Sequence, residues 1–114
     1  MHPKHEKLLA DLALKTNANS INWEASEVTD QFVLKLKNGA VMFDRATRPT
    51  STWGDVETYY SLKVLNKVGD PIDEFNVEGR DMYELASTMF ERIRRRVNRI
   101  DEQLDEIISE IDAS

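Results

Sequence analysis

The sequence predicts a two-layer α+β domain: an N-terminal helix, a four-stranded, mostly antiparallel meander, and a long C-terminal helix. Three observations carry this expectation. Apolar residues recur at helical spacing near both ends of the chain and alternate in between. An Asn-Gly pair divides two alternating runs, as a hairpin requires. A chain of 114 residues without cysteine has room for one modest core, built without disulfide or metal staples.

Residues 4–16 form a short amphipathic helix, with Leu8, Leu9 and Leu12 on one face and Lys7, Asp11 and Lys15 largely outside it. The polar run 17–20 stops it. Ile21 and Trp23 alternate with Asn22 and Glu24, which suits either a short strand or a linker whose Trp caps the core. The hairpin follows. With Asn38-Gly39 as a two-residue type I′ turn, Lys37 faces Ala40, Leu36 faces Val41 and Leu34 faces Phe43. Leu34, Leu36, Val41 and Phe43 then share the core face, while Lys35, Lys37, Met42 and Asp44 share the other.

Residues 44–57 read as a long polar loop carrying Arg45, Arg48 and Trp53. The third strand covers 58–65, with Tyr60, Leu62 and Val64 alternating against Tyr59, Ser61 and Lys63. A turn at 68–71 leads to a fourth strand over 72–77. Ile72 and Phe75 lie three apart there, so a bulge near Asp73 and Glu74 is needed to bring both into the core.

From residue 81 to 112 the period is helical. Asp81 and Glu84 have the spacing of a capping box. Met82, Ala86, Met89, Ile93, Val97, Ile100, Leu104, Ile107 and Ile111 then continue as one stripe. A continuous helix of that extent is ~48 Å long, against ~19 Å for four strands side by side. Its first half covers the sheet with the N-terminal helix, and residues 97–112 overhang as an extension for association. The alternative is a break near Asn98, which puts Asp101 and Glu102 in a new first turn, where the helix dipole favours acids. The unbroken stripe favours continuity.

Charge divides sharply along this segment. Residues 91–99 carry five arginines and one glutamate, whereas residues 101–112 carry six acids and no base. An antiparallel contact between two copies, centred near Asp101, sets Arg92 opposite Glu110 and Arg96 opposite Glu106. The same contact brings Val97 to Ile107 and Ile100 to Leu104, with Ile111 extending the seam. The expected function is therefore a non-enzymatic interaction or regulatory module, homodimeric through the C-terminal helix. Two alternatives are a nucleic-acid-binding regulator using the arginines of 92–99, and a small-ligand sensor using Arg45, Arg48 and Trp53.

Other chemistries lack support. The net charge of −6 disfavours broad attraction to nucleic acid or anionic membrane. There is no apolar run of transmembrane length, and the first residues lack the apolar segment of a secretory signal. A cytoplasmic setting is expected. No glycine loop of phosphate-binding type and no Gly-x-Ser-x-Gly is present. His2 and His5, the only histidines, stand at a terminus without a spaced third ligand, so they are expected to be exposed, with no metal and no cofactor bound.

The runs SINWEASEVTDQFVLKLKNGAVMFDR, YYSLKVLNKVGDPIDEF, DMYELASTMFERI and IDEQLDEIISEID resemble a group of small bacterial and phage-associated proteins of unknown function, with the same order of helix, strands and long helix. The resemblance covers most of the chain. It implies a fold type and a prokaryotic or mobile-element setting, and no activity.

Overall fold

The computed structural model describes all 114 residues. The order is α1 (Pro3–Asn17), β1 (Trp23–Ala25), β2 (Gln31–Leu36), β3 (Gly39–Pro49), β4 (Val56–Leu65), β5 (Pro71–Asn76), α2 (Arg80–Val97) and α3 (Ile100–Asp112). The expected α+β class and N-terminal helix are present. The sheet is an antiparallel meander in the order β1-β2-β3-β4-β5, with five strands rather than four, and the C-terminal segment is two helices rather than one.

The additional strand is β1, which pairs Trp23 with Leu34. Trp23 is buried, and its indole Nε1 donates to Thr16 Oγ1 at 3.0 Å. That hydroxyl in turn donates to Leu12 O at 2.7 Å. The sequence motif of a Trp with one polar handle thus anchors a three-residue strand to the last turn of α1.

The first hairpin keeps the expected faces but shifts its register by two residues. Leu36 pairs with Gly39, Leu34 with Val41 and Phe32 with Phe43. The loop is therefore Lys37-Asn38, and neither residue has positive φ, so the turn is not type I′. Burial explains the choice. The Asn-Gly register would place Phe32 opposite Arg45, whereas the observed one pairs it with Phe43. Because a two-residue shift preserves the side-chain faces, Phe32, Leu34, Val41 and Phe43 all reach the core. Leu36 is left exposed beyond it. Gly39 is required for another reason: a Cβ there would collide with the Leu65 carbonyl oxygen on β4.

Much of the polar stretch expected to be a loop is strand. Arg45 pairs with Tyr60, Thr47 with Thr58 and Pro49 with Val56, which extends β3 and β4 into one long hairpin and leaves only residues 50–55 as its loop. Cross-strand contacts at Arg48 and Glu57 hold the polar part together. The irregularity in β5 lies at Ile72, not at Asp73 and Glu74: Leu65 pairs with Pro71 and Val64 with Asp73, so Ile72 is the extra residue. Phe75 consequently enters the core, but Ile72 stays 64% exposed.

Both α1 and α2 lie on the core face of the sheet. Leu9, Leu12 and Ala13 of α1 and Ala86, Met89, Phe90 and Ile93 of α2 are buried against Phe43, Tyr60 and Leu62. His2 caps α1 through Nδ1, which accepts from Lys4 N at 3.0 Å. His5 does not simply face solvent. Its ring stacks on Phe75 at 3.8 Å, and Nε2 donates to Asp73 Oδ2 at 2.7 Å. That bond holds the Asp73 carboxyl below its ordinary range. The expected capping box at Asp81 is absent. Gly79, at φ 89°, turns the chain into α2 two residues earlier, and Asp81 acts through the dipole from the first turn.

Phe90 is the largest buried side chain that the apolar stripe omitted. Its ring meets Phe32 at 5.1 Å, Phe43 at 5.5 Å and Tyr60 at 5.7 Å. Truncation to Phe90→Ala is expected to lower the unfolding free energy in a urea titration by about 3–5 kcal/mol. Trp53→Ala, at a 90% exposed position on the loop between β3 and β4, should change it by less than about 0.5 kcal/mol. Equal effects of the two would contradict this packing.

Candidate interaction surface

The break between the last two helices puts each block of charge at the helix end that it suits. Asn98 closes α2, its N–H donating to Arg94 O, and Arg99 takes the left-handed conformation at φ 52°. Arg94, Arg95 and Arg96 then occupy the last turn of α2, and Asp101 and Glu102 the first turn of α3. Each set faces the dipole end it complements. Arg95 bridges the break to Asp101 at 2.6 Å, and Arg99 reaches Glu102 at 2.7 Å. The left-handed residue costs about 1–2 kcal/mol, which these two contacts and the relieved dipole clashes offset.

α3 stands off the domain. It has no buried residue. Ile100 is half-buried at the junction, while Leu104, Ile107, Ile108 and Ile111 are exposed, Leu104 and Ile107 by 46% each. The six acids of the helix, Glu106 and Glu110 among them, occupy the rest of its circumference, with no base in α3. Of the residues expected at a self-contact, Val97 instead packs on its own core. Arg96 Nη2 donates to Thr16 O at 3.1 Å and so closes the C-terminal end of α1. Arg92 is exposed on α2. With the helix broken at Arg99, Arg92 and Arg96 lie on α2 and Glu106 and Glu110 on α3, so the four do not share one straight helix.

The platform beneath α3 is a network of charges. Arg94 Nε donates to both Glu91 carboxylate oxygens, at 2.7 and 2.9 Å. Arg45 Nη2 donates to Asp30 Oδ2 at 3.2 Å, and its guanidinium lies 4.6 Å over the Phe90 ring. Arg94 and Asn98 line a recess with the β1–β2 loop. Together these contacts tie the C-terminal half of α2 to residues 30–45. The Arg94 hydrogen bonds hold the Glu91 carboxyl below its ordinary value of 4.5, and the same pair raises Arg94.

Arg45, Arg48 and Trp53 do not converge. Arg45 points to the helix-covered face, and Arg48, three residues on in a strand, to the opposite one, where it lies 5.0 Å over the Tyr59 ring. Trp53 sits on the loop beyond both. On that opposite face Asp44 Oδ1 is sealed from solvent without a hydrogen-bond partner. No three His, Cys, Asp or Glu side chains are grouped to hold a metal ion, and no helix is long and apolar enough to cross a membrane.

No family model, curated protein or solved structure matches this chain. Its function therefore has to be read from the surface itself. The sequence had marked Ile100, Leu104, Ile107 and Ile111 from their spacing; it did not mark Ile108, which widens the stripe, nor Phe90 and Glu91, which set the platform.

The Glu91 carboxyl titrates lower in the folded chain than in the unfolded one. Its contribution is complete above the ordinary value and is lost as pH falls through the lowered one. Glu91→Gln is accordingly expected to lower the thermal midpoint at pH 7, and the gap from the parent chain should close on acidification. A gap that persists unchanged in acid would show that the charge does not act.

Proposed function

We propose that this protein is a non-enzymatic interaction module that self-associates through α3, in the prokaryotic or mobile-element setting that the sequence resemblance implies. The carrying observation is a 13-residue helix whose apolar stripe has no cover. An isolated helix of under ~12–15 residues is marginal in water, and each half-exposed Leu or Ile has roughly 1 kcal/mol of burial still to gain. The ionic contacts across the break supply direction, since exposed pairs contribute only ~0.2–1 kcal/mol each. Burial of Leu104, Ile107, Ile108 and Ile111 supplies the association energy.

The nucleic-acid reading is weaker on the same geometry. Arg94 is engaged by Glu91, Arg95 by Asp101, Arg96 by the Thr16 carbonyl and Arg99 by Glu102, and the acids of α3 follow directly. A polyanion would have to displace those partners against repulsion. The ligand-sensor reading lacks a common pocket for Arg45, Arg48 and Trp53.

Light scattering on the full chain is expected to give a dimer. Leu104→Asp with Ile107→Asp should give a monomer of 13.2 kDa with the thermal midpoint of the domain retained, because neither residue belongs to the core. A mass unchanged by both substitutions would remove α3 from the association.

A further inference from the structure

A second feature of the fold matches α3 in apolar character and in charge. At the end of the sheet formed by the β2–β3 and β4–β5 turns, a cleft of about 430 Å³ is lined by Leu8, Leu36, Val41, Val64, Leu65 and Ile72. Two of these side chains are there through the departures from ideal strand pairing. The register shift leaves Leu36 past the core, and the bulge holds Ile72 outward.

The rim is basic. Lys37 lines the cleft, and Lys35 and Lys67 line the recess adjoining it. Lys35 is paired with Glu24 at 3.2 Å, while Lys37 and Lys67 carry no ion pair. Lys4 stands one turn before Leu8 on α1. The acid in the β4–β5 turn is Asp70; Asp73 is held by His5. An apolar cleft with unpaired lysines is complementary to an apolar helix on which Asp105, Glu106, Glu110 and Asp112 carry no ion pair. A second α3 is not: two such helices side by side would oppose acid to acid.

We infer that α3 of one copy docks in the Leu36–Ile72 cleft of a second copy, and that the second returns its own α3 to the first. This rests on the self-association proposed above and names its receptor. α3 buries no residue on the domain that carries it, and only residues 98 and 99 separate it from α2. The cover therefore comes from another copy. Exchange in both directions is isologous and closes at two chains, using both helices and both clefts.

The chain has no cysteine, so engineered thiols report one contact each. Leu36→Cys chains mixed with Leu104→Cys chains and oxidised are expected to give a covalent dimer at twice 13.2 kDa, while Leu104→Cys chains alone stay uncrosslinked. Rapid self-crosslinking of Leu104→Cys, or a dimer by light scattering that never crosslinks in the mixture, would overturn the cleft while leaving self-association through α3 intact. A monomer by light scattering at all concentrations would overturn both. As an independent check in the cysteine-free chain, Lys37→Glu with Lys67→Glu should raise the dimer dissociation constant by about tenfold. An unchanged constant would remove the lysines from the contact.

Discussion

Phe90, carried by α2, lies where side chains of three strands meet one ring. Phe32, Phe43 and Tyr60 reach it from β2, β3 and β4, and the Arg45 guanidinium covers its remaining face. Rings of this size tolerate few arrangements at native packing density. The position of α2 over the sheet is thereby set to within a side chain. Arg45 extends the constraint outward, since the same guanidinium that covers Phe90 also holds Asp30 and so fixes the β1–β2 loop. Glu91 and Arg94, next on α2, complete the clamp. The direction in which α3 leaves the domain is inherited from this packing.

The sheet gave up local preferences to satisfy the same core. Asn38-Gly39 is the strongest turn signal in the chain, yet the register that it favours would have left Phe32 facing an arginine. Moving the turn by one residue and the register by two keeps every face and pairs the two phenylalanines. In β5, leaving Ile72 unpaired brings Phe75 into the core, where it also stacks on His5. Both adjustments expose an aliphatic residue at the same end of the molecule, which is how a small domain acquires an apolar cleft without losing its core.

The fold class, α1, the alternation of β2, the first half of β3 and most of β4, and the amphipathic character of the last segment were legible in the sequence because each rests on a period. What was illegible depended on distant partners. Trp23 could be strand or linker until Thr16 was seen to accept its indole proton. Arg45 and Arg48 look like loop residues because arginines break the alternation, but cross-strand pairing with β4 makes them strand. The helix break was written in the charge pattern, bases before Asn98 and acids after Arg99. A single stripe running through both helices masked it, because a two-residue interruption with one left-handed residue leaves the spacing nearly in phase. Phe90 was hidden among the spacings of three and four by Met89 and Ile93, and only the facing aromatics reveal it.

A rigid two-layer platform that presents a short acidic helix with an uncovered apolar face is an arrangement suited to association. The most direct test is amide hydrogen exchange of α3 as a function of protein concentration. The account predicts that α3 exchanges fast in dilute solution and becomes protected as concentration rises, while α2 and β2 to β4 stay protected throughout. Protection of α3 equal to that of α2 at every dilution, or fast exchange at every concentration, would contradict it.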